Sequence, residues 1–374
     1  MKKLLAVVLS ISFLAVSPAY SATIAAGQKC AKLNQKATSG AKSFICAKRG
    51  GKLAWKILPA TPPKPTPTPE PSASPAPTPS LTPVVAPAVW KEYSSSEVIA
   101  RAKDAIDRYL AVKRSPNQVI TVIAQDGVNQ TLKNWIIQGA TLVAQSFAYP
   151  ASTRPFIDVV AMDRDWLREA YLKAGFSEAE VKDRLGGFDA GAPAFGGTTT
   201  NTWNAKSIAN ENLMVRNKVG MAQTAGHEFF HSIQERLAQR NPGKYGSEIP
   251  NWFWEGPAMF VGIHSAATIG AVDFATEGRQ EMLNRFKNGR AEMKVFPLKD
   301  VKANDAITDP YAIGYAGSEY LIAQIGVEKF LNIYVELGKG KSFADAFKDA
   351  TGFALDEFYI RFEMDRAALG FPRS

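Results

Sequence analysis

"TAGHEFFHSIQ", residues 224–234, carries two of the three histidines in a chain of 374 residues. They are His227 and His231, four positions apart, with Glu228 beside the first. The surrounding "KVGMAQTAGHEFFHSIQERLAQR" places Val219, Ala222, Phe229, Phe230, Ile233 and Leu237 at helical spacing, and "NPG" at 241–243 supplies a stop. On a helix, positions i and i+4 share one face a turn apart. The two imidazoles can therefore converge on one ion, with Glu228 in reach of a water bound to it. The same spacing also fits an amphipathic helix whose histidines are ordinary surface or core residues, so the decision rests on a third ligand.

That ligand is sought in "IPNWFWEGPAMF", residues 249–260, where Glu255 follows His231 by 24 positions. A helix, a turn and a returning helix would bring its carboxylate alongside the histidines. The segment resembles the second helix of the gluzincin metallopeptidases, the group with a thermolysin-like catalytic core. Their pattern P-x-W-x-x-E-G-x-A-x-[YF] is matched at Pro250, Trp252, Glu255, Gly256, Ala258 and Phe260, and "HEFFHSIQ" looks like their H-E-x-x-H-x-x-Q. The resemblance implies that His227, His231 and Glu255 bind Zn²⁺ and that Glu228 is the general base. It also implies an α+β, zincin-like domain: a mixed sheet, an active-site helix carrying H-E-x-x-H, and a helical C-terminal part. "DPYAIGYAGSEYLI" (309–322) resembles the P-Y-x-x-G-[FY]-A segment of the aminopeptidase branch, which makes Tyr311 the donor to the reacting oxygen and Tyr315 its substitute. The run 326–365 resembles the helical tail of the peptidase-MA-like subgroup.

Three departures carry expectations of their own. No G-A-M-E-N strand precedes the zinc helix; "ANEN" (209–212) is too close to it, so Glu211 is given no exopeptidase role. Pro257 would break a helix interior, which predicts that it opens the helix and that Glu255 sits just before it. Position 259 is Met, where the family often has a carboxylate that buttresses a histidine, so that support is expected from the acidic residues of 300–309. His264 is read as a bystander, because a fourth protein ligand would close the position water needs. Trp252, Phe253, Trp254 and Phe260 are read as core and cleft wall.

Working outward, "SSSEVIARAKDAIDRYLAVKR" (94–114) reads as a helix after a serine cap, with Val98, Ile99, Ala102, Ala105, Ile106, Tyr109 and Leu110 in register, "NQTLKNWIIQGATLVAQSFA" is a second helix, and "PFIDVVAM" a buried strand. "DRDWLREAYLKAG" reads as a helix between an Asp cap and a Gly stop, "GGFDAGAPAFGGTTTN" as Gly-rich loop, and "AKSIANENLMVRN" as an edge strand.

The N-terminal quarter is different. Residues 1–22 combine "MKK", the apolar "LLAVVLSISFLAV" and the small-residue "SPAYSA", the pattern of a cleaved signal peptide; the apolar run is short for a membrane span, and no later stretch is long and apolar enough. Residues 23–58 hold seven Lys, one Arg and no acid, with Cys30 and Cys46 expected to pair in an oxidising compartment. This segment resembles a small module of exported actinobacterial proteins in which a Cys pair precedes G-K-L-x-W. Residues 59–89 contain twelve prolines and read as an extended linker, up to roughly 90 Å long. From residue 59 onward 34 basic and 35 acidic residues nearly cancel, so the domain at 90–374 gives no electrostatic case for nucleic acid. The net charge of +9 belongs to the N-terminal segments, where Lys29, Lys32, Lys42, Lys48, Arg49 and Lys52 could contact an anionic cell-wall polymer. The expected function is a secreted or wall-associated zinc peptidase acting on peptides or proteins. The alternative is a wall-associated binding protein on an inactive or structural-zinc peptidase scaffold.

Overall fold

The computed structural model describes residues 28–30, 32–33, 35–39, 42–49 and 52–57, and then 89–373 except 151–154, 198, 209–216, 240–248, 290–295 and 302–308. The signal peptide, nearly all of the proline-rich stretch, the "NPG" stop and Glu211 lie outside the described residues. The chain divides into two compact units at Thr82/Pro83, within the proline-rich stretch.

The first unit is an antiparallel meander of β1 (Lys36–Ser39), β2 (Lys42–Arg49) and β3 (Lys52–Ile57). Cys46 pairs across the strands with Trp55, and its disulfide to Cys30 closes over Phe44 and Trp55 as a miniature core. A sheet this small buries too little apolar area to hold itself, and the cross-link compensates by restricting the unfolded chain. Lys29, Lys32, Lys48, Lys52 and Lys56 are exposed.

The second unit is α+β with a mixed sheet. Helix α1 (Ser95–Leu110) starts at a capping box between Ser94 and Glu97. β4 (Ile120–Ala124), α2 (Gln130–Ser146), β5 (Phe156–Ala161), α3 (Arg164–Lys173), α4 (Glu178–Asp189), β6 (Ala194–Phe195) and β7 (Thr200–Asn204) follow. The strand order is β4-β5-β7-β6, parallel through β7 and antiparallel at the edge strand β6. β5 is buried on both faces. Ile157, Val159 and Ala161 meet α3 and α4, while Phe156 and Val160 meet the main core.

Two readings of the sequence need correction here. The stretch taken as Gly-rich loop contains the end of α4, all of β6 and the start of β7. Ser177 caps α4, and burial of Val181 and Leu185 carries the helix through Gly186 and Gly187. β7 hid because four of its five residues are polar, although all five are buried, with the Thr202 hydroxyl bonded to that of Tyr171. The stretch taken as an edge strand begins as the short helix α5 (Ala205–Ile208), and its remainder lies outside the described residues apart from Asn217. The edge strands of the described sheet are β4 and β6.

The rest of the unit is helical: α6 (Lys218–Leu237), α7 (Trp252–Thr268), α8 (Arg279–Asn288), α9 (Pro310–Gly338), α10 (Phe343–Thr351) and α11 (Leu355–Asp365). α9 is interrupted at Gly326, whose φ of 75° and ψ of 168° suit only glycine. Among the described residues no helix is long and apolar enough to cross a membrane.

Candidate metal centre

Glycines set the geometry by letting three helices approach closely. A Cβ on Gly262 of α7 would lie 2.7 Å from the Gln223 carbonyl oxygen and 3.1 Å from His227 Cβ, so α6 and α7 cross backbone to backbone beside the first histidine. At the other end of the site, a Cβ on Gly314 of α9 would lie 2.7 Å from the Trp252 carbonyl oxygen and 2.9 Å from Gly256 Cα. These crossings bring Glu255 of α7 and Tyr311 of α9 against the histidine face of α6.

His227 Nε2 and His231 Nε2 are 3.0 Å apart, and Glu255 Oε2 lies 3.3 Å from the first and 3.4 Å from the second. A tetrahedral ion bound at about 2.0–2.1 Å sets its ligands about 3.3–3.4 Å from one another. The donor set fits one ion in both chemistry and spacing, and the buried group His227, His231 and Glu255 can hold a metal. The three residues are 6–9 % exposed. Burial alone would raise the Glu255 carboxyl, but His231 and His227 together hold it well below the usual carboxylate range. Burial would likewise lower the proton affinity of His231, yet Glu255, with Glu228 adding to it, pushes that imidazole up to about 9.

Glu228 is half-buried. Its carboxylate lies against the loop that follows β6, with Oε2 2.8 Å from where a Cβ on Gly196 would stand. Trp254 stacks on the His231 ring at 4.8 Å and 17°, and Tyr311 faces His227 at 6.0 Å and 29°. Tyr311 is itself clamped. Asp309 accepts from its backbone N–H and makes a two-point ion pair with Arg285, whose guanidinium covers the Tyr311 ring at 4.4 Å.

Pro257 does not open its helix. The Glu255 N–H already bonds to the Asn251 carbonyl, so the helix is under way when Glu255 arrives, and Pro257 lies in its second turn. The missing N–H of Pro257 leaves the Phe253 carbonyl without its intrahelical donor. The Tyr334 hydroxyl donates to that oxygen at 2.7 Å instead. An unbroken helix would carry Tyr334 about 30 Å from Gly314. Both reach the start of α7, which requires the reversal at Gly326.

His231 is supported by Gln234; of the acids at 300–309 from which support for a histidine was expected, Asp305 lies outside the described residues. Gln234 Oε1 accepts from His231 Nδ1 at 2.8 Å, and its Nε2 donates to the Trp254 carbonyl and to Tyr334, both at 2.9 Å. One amide thereby ties a histidine to the helix that carries Glu255. Within 300–309, Asp309 is committed to Arg285, and 302–308 lie outside the described residues. Among the described residues His227 Nδ1 has no hydrogen-bond partner.

Tyr334→Phe removes the hydroxyl on which both Phe253 O and Gln234 depend. A loss of about 1–3 kcal/mol in unfolding free energy is expected by denaturant titration. An unchanged midpoint would show that the bond carries no weight.

Tyr315 is not a substitute for Tyr311. It is buried in the core against Phe260, its hydroxyl donates to Glu319 at 3.3 Å, and burial raises the phenol well above its ordinary range. His264 stays apart from the ligand group: its Nδ1 is 3.3 Å from Asp107, and its ring packs on Phe260 and Phe274. Of the aromatic residues, Trp252, Phe253 and Phe260 are core, and Trp254 is the one at the site. Sequence reading missed Tyr334, which had no signal, and the buttressing role of Gln234, which the motif position could have suggested.

No known protein family, curated protein or solved structure matches the chain.

Proposed function

We propose that the protein is a secreted zinc-dependent peptidase of the gluzincin type. The observation that carries this reading is the convergence of His227, His231 and Glu255 at metal-ligand spacing with a half-buried Glu228 beside them. Zinc at this centre would supply an open position for water, lower that water's pKa and polarise a carbonyl. Glu228 takes the proton of the attacking water and passes it to the leaving amine. Tyr311, held by Asp309 and Arg285, donates to the carbonyl oxygen as negative charge develops on it. The edge strand β6 runs up to Gly196, against Glu228, and its backbone groups suit an extended peptide as substrate. The exposed lysines of the first unit support contact with an anionic wall polymer, and the Cys30–Cys46 disulfide is consistent with an extracellular location.

The test is metal analysis of the purified protein and digestion of a mixed peptide library. One zinc per chain is expected, with cleavage stopped by a chelator and restored by zinc. Stripping the metal is also expected to lower the melting temperature, because an ion bound only by the folded state stabilises it by mass action. Protein that takes up no zinc, or cleavage indifferent to chelation, would overturn the reading.

A further inference from the structure

Asp158 interrupts the apolar run of β5 and faces the main core, on the side of Phe156 and Val160. It is fully buried, and among the described residues neither carboxylate oxygen has a hydrogen bond of good geometry. Its partners in register are Val122 on β4 and Asn201 on β7. Asn201 is also fully buried, and its side-chain amide is likewise unsatisfied. Buried polar groups left in this state are rare, because each costs its full desolvation. The element that faces them is α6. Asn201 Oδ1 and Glu228 Oε2 lie 3.1 and 2.8 Å from the single point a Cβ on Gly196 would occupy, so the amide and the base border the same glycine.

We propose that Asp158 is a positioning residue for Glu228, acting through Asn201. With Asp158 protonated, its hydroxyl donates to the Asn201 carbonyl, and an amide turned to put its NH₂ toward Gly196, where Oδ1 stands in the structure, donates to the Glu228 carboxylate. With Asp158 ionised, the amide turns its donors inward beside the Trp203 indole N–H, and Glu228 loses that bond and gains a like charge nearby. The arrangement makes the base sensitive to the protonation of a residue that touches neither substrate nor metal ligands.

The surroundings place this change in the working range. Burial pushes the Asp158 carboxyl up to about 7, the charge of Glu228 adds to the rise, and Trp203 and Asn201 oppose it. Glu228 is the charged group that bears on Asp158 from α6, and Tyr171 is the titratable group coupled to it from α3.

The consequence for turnover rests on the peptidase reading, but the coupling does not, and two measurements separate them. The first follows side-chain carboxyl carbons of the full chain by NMR across pH. A signal titrating near 7 is expected, absent in Asp158→Asn. In Glu228→Gln its midpoint should fall by roughly one pH unit or more, as a negative neighbour is removed. Asn201→Leu, which cuts the relay while leaving both carboxyls, provides a second route if Asp158→Asn does not fold, and should alter the same midpoint. An Asp158 midpoint near 4, or one unmoved by Glu228→Gln, overturns the proposal. The second measurement is the pH profile of kcat/KM for the zinc-loaded protein. The profile of Asp158→Asn should lose part of its dependence near pH 7 with zinc content unchanged, and a profile identical to the wild type overturns the proposal. If no variant cleaves peptides, the peptidase reading fails and the NMR titration alone decides the coupling.

Discussion

Glu228→Gln is expected to bind zinc as the wild type does and to cleave peptides about 10²–10⁴-fold more slowly. The two halves of that result separate the base from the ligands. Glu228 lies outside the His227, His231 and Glu255 group, so replacing its carboxylate with an amide of the same shape leaves the metal donors in place. What disappears is the group able to take a proton from water at neutral pH, because an amide has no comparable basicity. His231→Ala should lose metal and activity together, since it removes a ligand and the ring against which Trp254 is stacked. Zinc content and kcat measured on the same preparations distinguish the two outcomes. Activity retained by Glu228→Gln would move the base elsewhere and sink the mechanism.

Gly256→Val is expected to be among the most damaging single changes in the second unit. Gly256 follows the ligand Glu255, and a side chain there would run into the Gly314 carbonyl, a backbone group fixed within α9. Neither helix can yield locally, so α7 and α9 must separate. The cost should exceed about 4 kcal/mol, in the range reserved for disrupted cores. If the protein still folds, Glu255 and Tyr311 should be displaced together, so metal affinity falls as well. Denaturant unfolding and zinc titration of Gly256→Val test both effects. A variant as stable as the wild type would mean that the helices do not meet at this pair.

The legible parts of this protein were those in which periodicity and chemistry coincide. His227 and His231 sit on an apolar helix with a one-turn repeat, and Glu255 sits in a tryptophan-rich segment whose spacing implied a returning helix. The structure brings all three together. The details that escaped depend on contacts far apart in sequence. Pro257 reads as a helix start when only local hydrogen bonding is considered. Its place in the second turn depends on a hydroxyl 77 positions later. His231 is buttressed by a neutral amide three positions on, and that amide also bonds a backbone carbonyl on α7. β7 has no alternation to detect, since both of its faces are buried and most of its residues are polar. Asp158 was visible as one acid in an apolar run, yet its meaning depended on Asn201 and Glu228, which only the sheet order and the docking of α6 bring near.

The proline in α7 has a consequence for the order of events in folding. A helix that supplies all its own hydrogen bonds can form before it docks. α7 cannot complete its second turn this way, because the Phe253 carbonyl waits for Tyr334 on the far limb of a folded-back helix. The carboxylate of Glu255 therefore reaches its final position only after α6, α7 and both limbs of α9 have assembled. Metal capture should accordingly be a late event, and its rate during refolding a clock for completed tertiary structure.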